Sequence, residues 1–324
     1  MTGNNALTPE QMRDQVVSGF AEIAGQYATG TDFFERVARQ LLVLSAIRHG
    51  DRVLDVGCGK GAATIIAAEL AGPGGHVTGI DTSVTMLEQA DLAARRRKLR
   101  NVSFFFTDAE DPHTVDPWER GHQDPQPFGA ASFDVIVASN VIQFLPDPAR
   151  AVRSWYRLLR PGGWLAFSWS IVQDPAWAPV MAVVDARVPP GMPGFEAWVR
   201  RPPFHDPAAV ETMLKDAGYT DIDTTRGNVT TAFGSPADWW ASCLTAAPWA
   251  VSWRHIPPRQ LEATRQEAFG LLEGMRAGGS LTRTLRYGYT QAGKPSRGRS
   301  HSDPGVGKPS GTGSAQVGRR GGYQ

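Results

Sequence analysis

Short apolar runs alternate with longer amphipathic stretches through the first half of this chain. The runs Arg52–Val56, His76–Ile80, Val102–Phe106, Phe133–Ala138 and Trp164–Ser168 have the length of strands buried on both faces. Between them, Gly61–Ala71, Ser83–Arg97 and Pro148–Leu159 carry apolar residues at helical spacing. This alternation predicts an α/β fold, a parallel sheet with helices on both faces. Two helices precede it. Residues 8–27 put Val16, Val17, Phe20, Ile23 and Ala24 on one face. The stretch Asp32–Ala46, capped by Thr31 or Asp32, aligns Phe33, Val37, Leu41 and Leu44.

After Ser170 the alternation stops. Residues 171–206 are punctuated by proline and have no clear period. A helix resumes at Ala208 and is closed by Gly218. A strand over Asp221–Thr225, a helical pattern over 236–276 and a last strand over Leu281–Gln291 follow. The expected organisation is N-terminal helices at 1–48, a core at 49–170, a covering lid with the last core elements at 171–292, and a tail at 293–324.

Composition changes this picture little. Hydrophobic residues are 41 % of 324, enough for a sizeable core, and no stretch approaches the ~20 apolar residues of a membrane span. The N-terminus lacks the charged-then-apolar layout of a signal peptide. The two cysteines, Cys58 and Cys243, make neither a disulfide framework nor a zinc site. A cytoplasmic protein without metal is expected. The net charge of +1 hides an asymmetry, because residues 293–324 hold six Lys/Arg against one Asp. That tail, rich in Gly, Ser and Pro, reads as disordered.

The chemistry concentrates in VLDVGCGKGAAT, residues 53–64. Asp55 sits inside a buried strand, Gly57, Gly59 and Gly61 follow at every second position, and a helix begins. Glycines let the backbone turn sharply and approach a ligand. Dinucleotide sites use G-x-G-x-x-G around a pyrophosphate. Here the spacing is G-x-G-x-G, and a carboxylate just before the turn repels phosphate and suits an ammonium group. S-adenosylmethionine has that group and no phosphate. Asp81 ends the second strand in GHVTGIDTSVTML (75–87), where a carboxylate can accept ribose hydroxyls. Asp108 follows the third in NVSFFFTDAEDP (101–112), where it could accept from an adenine amino group. The stretch 132–168 adds a fourth strand, a loop, a helix and an LLRPGG turn into a fifth strand. Asp134, in its F-D-V pattern, reads as a fold residue.

Over about residues 20–170 these motifs resemble the class I methyltransferases, in particular the small-molecule group that includes ubiquinone and menaquinone C-methylases. The resemblance implies a Rossmann-like sheet of seven strands, the last antiparallel, and S-adenosylmethionine as cofactor. It implies that Asp55, Gly57 and Gly59 line the methionine and ribose end, and that Asp81 binds the ribose with Thr82 and Met86 beside the adenosine. Asp108 and Ala109 would bind adenine. Asn140 would hold the methionyl end, Gln143 would lie near the methyl, and Tyr27 would close the pocket.

The acceptor is less legible. The chain has Ser139-Asn140-Val141-Ile142 where nucleic-acid amino methyltransferases often carry N/D-P-P-Y/F, and its folded part shows no basic, aromatic-interleaved patch. A small organic acceptor is expected, with no nucleic acid. A nucleic-acid methyltransferase, a non-catalytic cofactor-binding protein and a homodimer remain open. His205 and His255 are the candidate bases. Trp177, Trp198, Trp239 and Trp240 are expected to wall a hydrophobic or aromatic acceptor, and Arg200 and Arg201 to clamp an anionic group on it.

Overall fold

The computed structural model describes residues 9–25, 32–113, 128–172, 174–188, 202–204, 206–245, 253, 255–276 and 281–296. Two helices, α1 (Pro9–Ile23) and α2 (Phe33–Leu44), lead into β1 (Arg52–Val56), α3 (Ala62–Ala71), β2 (His76–Asp81), α4 (Val84–Arg96), β3 (Val102–Phe106) and β4 (Phe133–Ser139). Then come α5 (Pro148–Leu158), β5 (Leu159–Val172), α6 (Ala178–Asp185), α7 (Pro207–Asp216), β6 (Thr220–Phe233), α8 (Pro236–Thr245), α9 (Pro258–Met275) and β7 (Leu281–Gly293). The strands form one sheet in the order β3-β2-β1-β4-β5-β7-β6. Pairing is parallel from β3 to β5, and β7 runs antiparallel to both its neighbours. This is the seven-stranded α/β sheet expected from the sequence.

Alternation along each strand sorts side chains between two apolar layers. Leu54 and Val56 join Ile136, Trp155 and Leu214 beneath α5 and α7. Val53 joins Val37, Leu41, Ala67, Val77 and Val137 beneath α2 and α3. Helix starts follow their caps: Ser83 Oγ accepts from Met86 N at α4, Asp147 from Arg150 N at α5 and Asp206 from Ala208 N at α7. Gly218 ends α7 with φ +96°, and a Cβ there would lie 3.1 Å from the Tyr156 ring. Asp134 is a fold residue, as expected. It accepts from Arg52 N at 2.6 Å and pairs with Arg160.

The larger difference from the sequence reading is at the β5–β7–β6 side. The sequence marks Trp164–Ser168 and Asp221–Thr225, whereas β5 and β6 each run for 14 residues. Pairing of β4 with β5 stops at Ser139 and Ser168, but β5 continues alongside β7 to Val172 and Arg286, and β6 alongside β7 to Phe233 and Leu281. The three strands therefore overhang the carboxyl edge of the sheet, and α6, α8 and α9 pack together around that overhang.

Three of the four tryptophans expected at an acceptor wall, Trp177, Trp239 and Trp240, lie here instead. Trp177 and Trp239 are fully buried and Trp240 nearly so, packed with Val180, Met181 and Leu272 in a core separate from the two sheet layers. Trp177 Nε1 donates to Thr282 O at 2.8 Å. A covering unit this small needs large rings to exclude water, and these three supply them. A second correction concerns the start of the tail. Gly293 ends β7, and Lys294 Nζ donates to the carbonyls of Tyr156 and Leu159, both at 2.7 Å. Tyr27, Trp198, Arg200, Arg201, His205 and residues 297–324 lie outside the described residues. No helix among the described residues is long and apolar enough to cross a membrane.

Because Trp177 fills the lid core, Trp177→Ala is expected to lower the unfolding free energy by about 3–5 kcal/mol in urea titration. A loss under about 1 kcal/mol, the scale of a surface change, would show the ring is not packed as described.

Candidate active site

Loops at the carboxyl ends of β1–β4, with α1 above them, line an open cleft. Its floor starts at Gly57, which has φ +63° and whose absent Cβ would lie 2.4 Å from Val141 Cγ2. Only glycine lets the loop after β1 pass so close to the loop after β4. Gly57 and Gly59 both line the cleft.

Asp81, at the end of β2, faces the same space. Its Oδ2 accepts from Gly59 N and its Oδ1 from Ser83 N, both at 2.9 Å. Each oxygen keeps one lone pair for a ligand donor. Burial pushes its carboxyl up to about 6, against the opposing pull of those backbone N–H groups. Thr82 and Met86 line the cleft beside it. Asp55 does not line it, which corrects the expectation. Strand alternation turns it toward α3, where it is 1 % exposed and accepts from Thr64 Oγ1 at 2.6 Å. Its other oxygen is buried without a hydrogen bond, and burial pushes this carboxyl up to about 7.

Asp108 and Ala109 line the end near β3. Asp108 Oδ1 accepts from Glu110 N at 2.8 Å and Oδ2 pairs with Arg13 of α1 at 3.3 Å. Arg13 also reaches Glu110, at 2.6 Å, and that carboxylate is nearly fully buried. The bond to Glu110 raises the Arg13 guanidinium further. Ala109 O accepts from Trp155 Nε1 at 2.7 Å.

Asn140 lines the opposite end, after β4, with φ +58°. Its backbone N donates to Ser168 Oγ at 2.9 Å. Its side-chain Oδ1 accepts from Gln143 Nε2 at 2.9 Å and from Tyr287 Oη at 2.7 Å. Gln143, expected beside the reacting methyl, is instead buried behind Asn140 and outside the cleft wall. His255 is exposed and outside that wall too, so it is not placed as a base.

The sequence reading missed Arg13, Val16, Val17 and Phe20 of α1, Phe34 of α2, and Val141, Phe144 and Leu145 after β4, all of which line the cleft. The apolar face of α1 was visible, and Arg13 stands three and four residues before Val16 and Val17 on that same face. That offset was the signal available for it. Nothing marked Tyr287, which lies 147 residues from its partner Asn140.

Comparison with known proteins bears on this geometry. A family model described as a methyltransferase domain matches residues 47–183. The nocamycin O-methyltransferase of Saccharothrix syringae is 35 % identical over 286 residues, which cover 83 % of this chain and 95 % of that protein. The chain belongs to the methyltransferase family. The aklanonic acid methyltransferase DauC of a Streptomyces species is similar to it at 37 % over 48 % of this chain and 65 % of that protein. The YcgJ protein of Bacillus subtilis shares the fold, with a TM-score of 0.51 at 18 % identity over 80 % of this chain and 98 % of that one.

This methyltransferase takes its methyl group from S-adenosylmethionine, and the cleft fits that donor. The free lone pairs of Asp81 suit a ribose diol. The absence of a side chain at Gly57 makes room for the Val141 side chain where the loops after β1 and β4 meet. Asp81, pushed upward by burial, favours a cationic ligand, which returns it to its ionised form. When bound, the cofactor supplies a methyl group already activated on a sulfonium, so the protein's part is alignment and exclusion of water.

A pH dependence follows. The folded protein holds protons on Asp55 and Asp81 that the unfolded chain releases near the ordinary carboxylate value of 3.8. Stability of the ligand-free enzyme is therefore full below that value and falls as pH rises through about 6 to about 7. Cofactor affinity runs the other way, because the ionised Asp81 is the better acceptor. Melting temperature without ligand should fall, and calorimetric affinity rise, from about pH 5 to about pH 8. Asp81→Asn should flatten most of the affinity trend. An affinity independent of pH in the native protein would contradict the placement of Asp81.

Proposed function

We propose that this enzyme methylates an oxygen of a small, hydrophobic organic molecule. The observation that carries this reading is the wall of the cleft beyond the glycine loop. Val16, Val17 and Phe20 come from α1, Phe34 from α2, and Val141 and Phe144 from the turn after β4. Phe20 and Phe144 meet edge to face with centroids 5.9 Å apart. Burial of an apolar acceptor against such rings drives binding, and the polar Asn140 at that end then orients it. The similarity to a nocamycin O-methyltransferase over nearly its whole length supports oxygen as the methylated atom.

Methyl transfer is an in-line displacement. The acceptor oxygen must approach the methyl carbon from the side opposite sulfur, and packed rings can hold it there without a charged clamp. The test is transfer of a trideuteromethyl group from labelled cofactor to a panel of hydrophobic phenols, carboxylic acids, amines and alkenes, with RNA as a further arm. Products are read by mass and fragmentation. Label on oxygen of an apolar acceptor is expected. Label confined to RNA, to a polar amine or to carbon would reject the proposal. Phe20→Ala should raise KM for the acceptor about tenfold, the scale of a lost buried ring contact, with cofactor affinity changed less.

A further inference from the structure

We infer that Tyr287 and Gln143 are positioning residues that aim the Asn140 amide at the acceptor, and that the acceptor binds as an oxygen anion. This rests on the oxygen-methylation reading above and specifies its substrate class as carboxylic acids, acidic enols and phenols that ionise near neutral pH.

An amide oxygen has two lone pairs, and in Asn140 both are taken, one by Gln143 Nε2 at 2.9 Å and one by Tyr287 Oη at 2.7 Å. Both donors are buried, Tyr287 3 % and Gln143 1 % exposed, and neither lines the cleft. The carbonyl end of the amide is thus turned into the protein. Asn140 itself does line the cleft, and its Nδ2 has no hydrogen-bond partner among the described residues. Its N–H groups are therefore what it offers to the cleft. The residue cannot swing away easily, since its backbone N is tied to Ser168 Oγ and its φ is +58°. Tyr287 is held in turn by Phe33 of α2, edge to face at 6.0 Å.

Position decides what these donors meet. Along the carboxyl edge of the sheet, Asp108 follows β3, Asp81 ends β2, the glycine loop follows β1 and Asn140 follows β4. The carboxylates at one end serve the nucleoside. Asn140 is two strand spacings from Asp81, about 10 Å, at the apolar end where the acceptor is placed. An N–H pair polarised by two hydrogen bonds to its own carbonyl is a better donor, and donors lower the pKa of an oxygen acid they contact. The positive sulfonium opposite adds attraction for an anion and repels an ammonium. The acceptor loses its proton to solvent on binding. In the transfer step a lone pair on that oxygen forms the new O–C bond while the C–S bond breaks and its pair returns to sulfur. Because the acceptor is already ionised, the step needs no protein base.

The test uses 4-nitrophenol, an apolar phenol whose anion absorbs visible light, titrated with pH in the presence of the full-length enzyme saturated with S-adenosylhomocysteine. In native enzyme the bound phenol should ionise about one pH unit lower than free phenol. In Tyr287→Phe, which keeps the ring and loses only the hydroxyl, that shift should shrink by half or more. In Asn140→Ala it should vanish. S-adenosylhomocysteine affinity should stay within about twofold in Tyr287→Phe, which separates positioning from a general loss of structure. A bound pKa equal to or above the free value, no spectral change at millimolar phenol, or an undiminished shift in Tyr287→Phe would each overturn the inference. A lowered pKa together with carbon or nitrogen products in the labelling panel would reject the oxygen reading while leaving the anion site standing.

Discussion

The Asp81 carboxylate joins the two loops on which the donor site depends. Its oxygens hold Gly59 N and Ser83 N, so the glycine loop after β1 and the first turn of α4 share one anchor. The interaction is costly in the absence of ligand, because it keeps a carboxylate in a place that disfavours its charge. Asp55, below the same loop, carries a similar penalty and leaves one oxygen without a partner. Burial disfavours the charge of both carboxylates, and a cationic ligand beside Asp81 favours its ionised form.

A second constraint comes from α1. Arg13 spans from that helix to Asp108 and to Glu110, whose carboxylate also accepts from Asp147 N. Glu110 is too deeply buried to stay charged cheaply alone, so the arginine on α1 helps hold that corner together. Val16, Val17 and Phe20 then face the cleft from the same helix. The β3 end and the apolar end of the cleft thus share one roof, fastened by charge at one side and by apolar packing at the other.

The first five strands and most of the helices between them were legible in the sequence, because buried strands read as short apolar runs between segments of helical spacing. These cleft-lining residues were legible for the same local reason: Asp81 ends β2, and Gly57, Gly59 and Asp108 lie within three residues past a strand. What failed was non-local or two-sided. β6 is an edge strand rich in Thr, Asp and Asn, largely exposed, so it shows no apolar run over its outer half. Trp177, Trp239 and Trp240 are aromatic residues in covering segments, and composition alone does not separate a ring that walls a ligand from one that fills a core. Asp55 was taken for a lining residue because it is next to the loop, while strand alternation sends its side chain the other way. Tyr287 and Asn140 meet only through the antiparallel pairing of β5 and β7, which no local pattern encodes.

The overhang of β5, β7 and β6 has one more consequence. The helices it carries close around their own tryptophan core, separate from the apolar layers that support the cofactor loops. Changes that reshape the outer half of the molecule are therefore absorbed within that half. The cleft, walled by α1, α2 and the loops after β1–β4, stands apart from that half and keeps its shape when residues of the tryptophan core change.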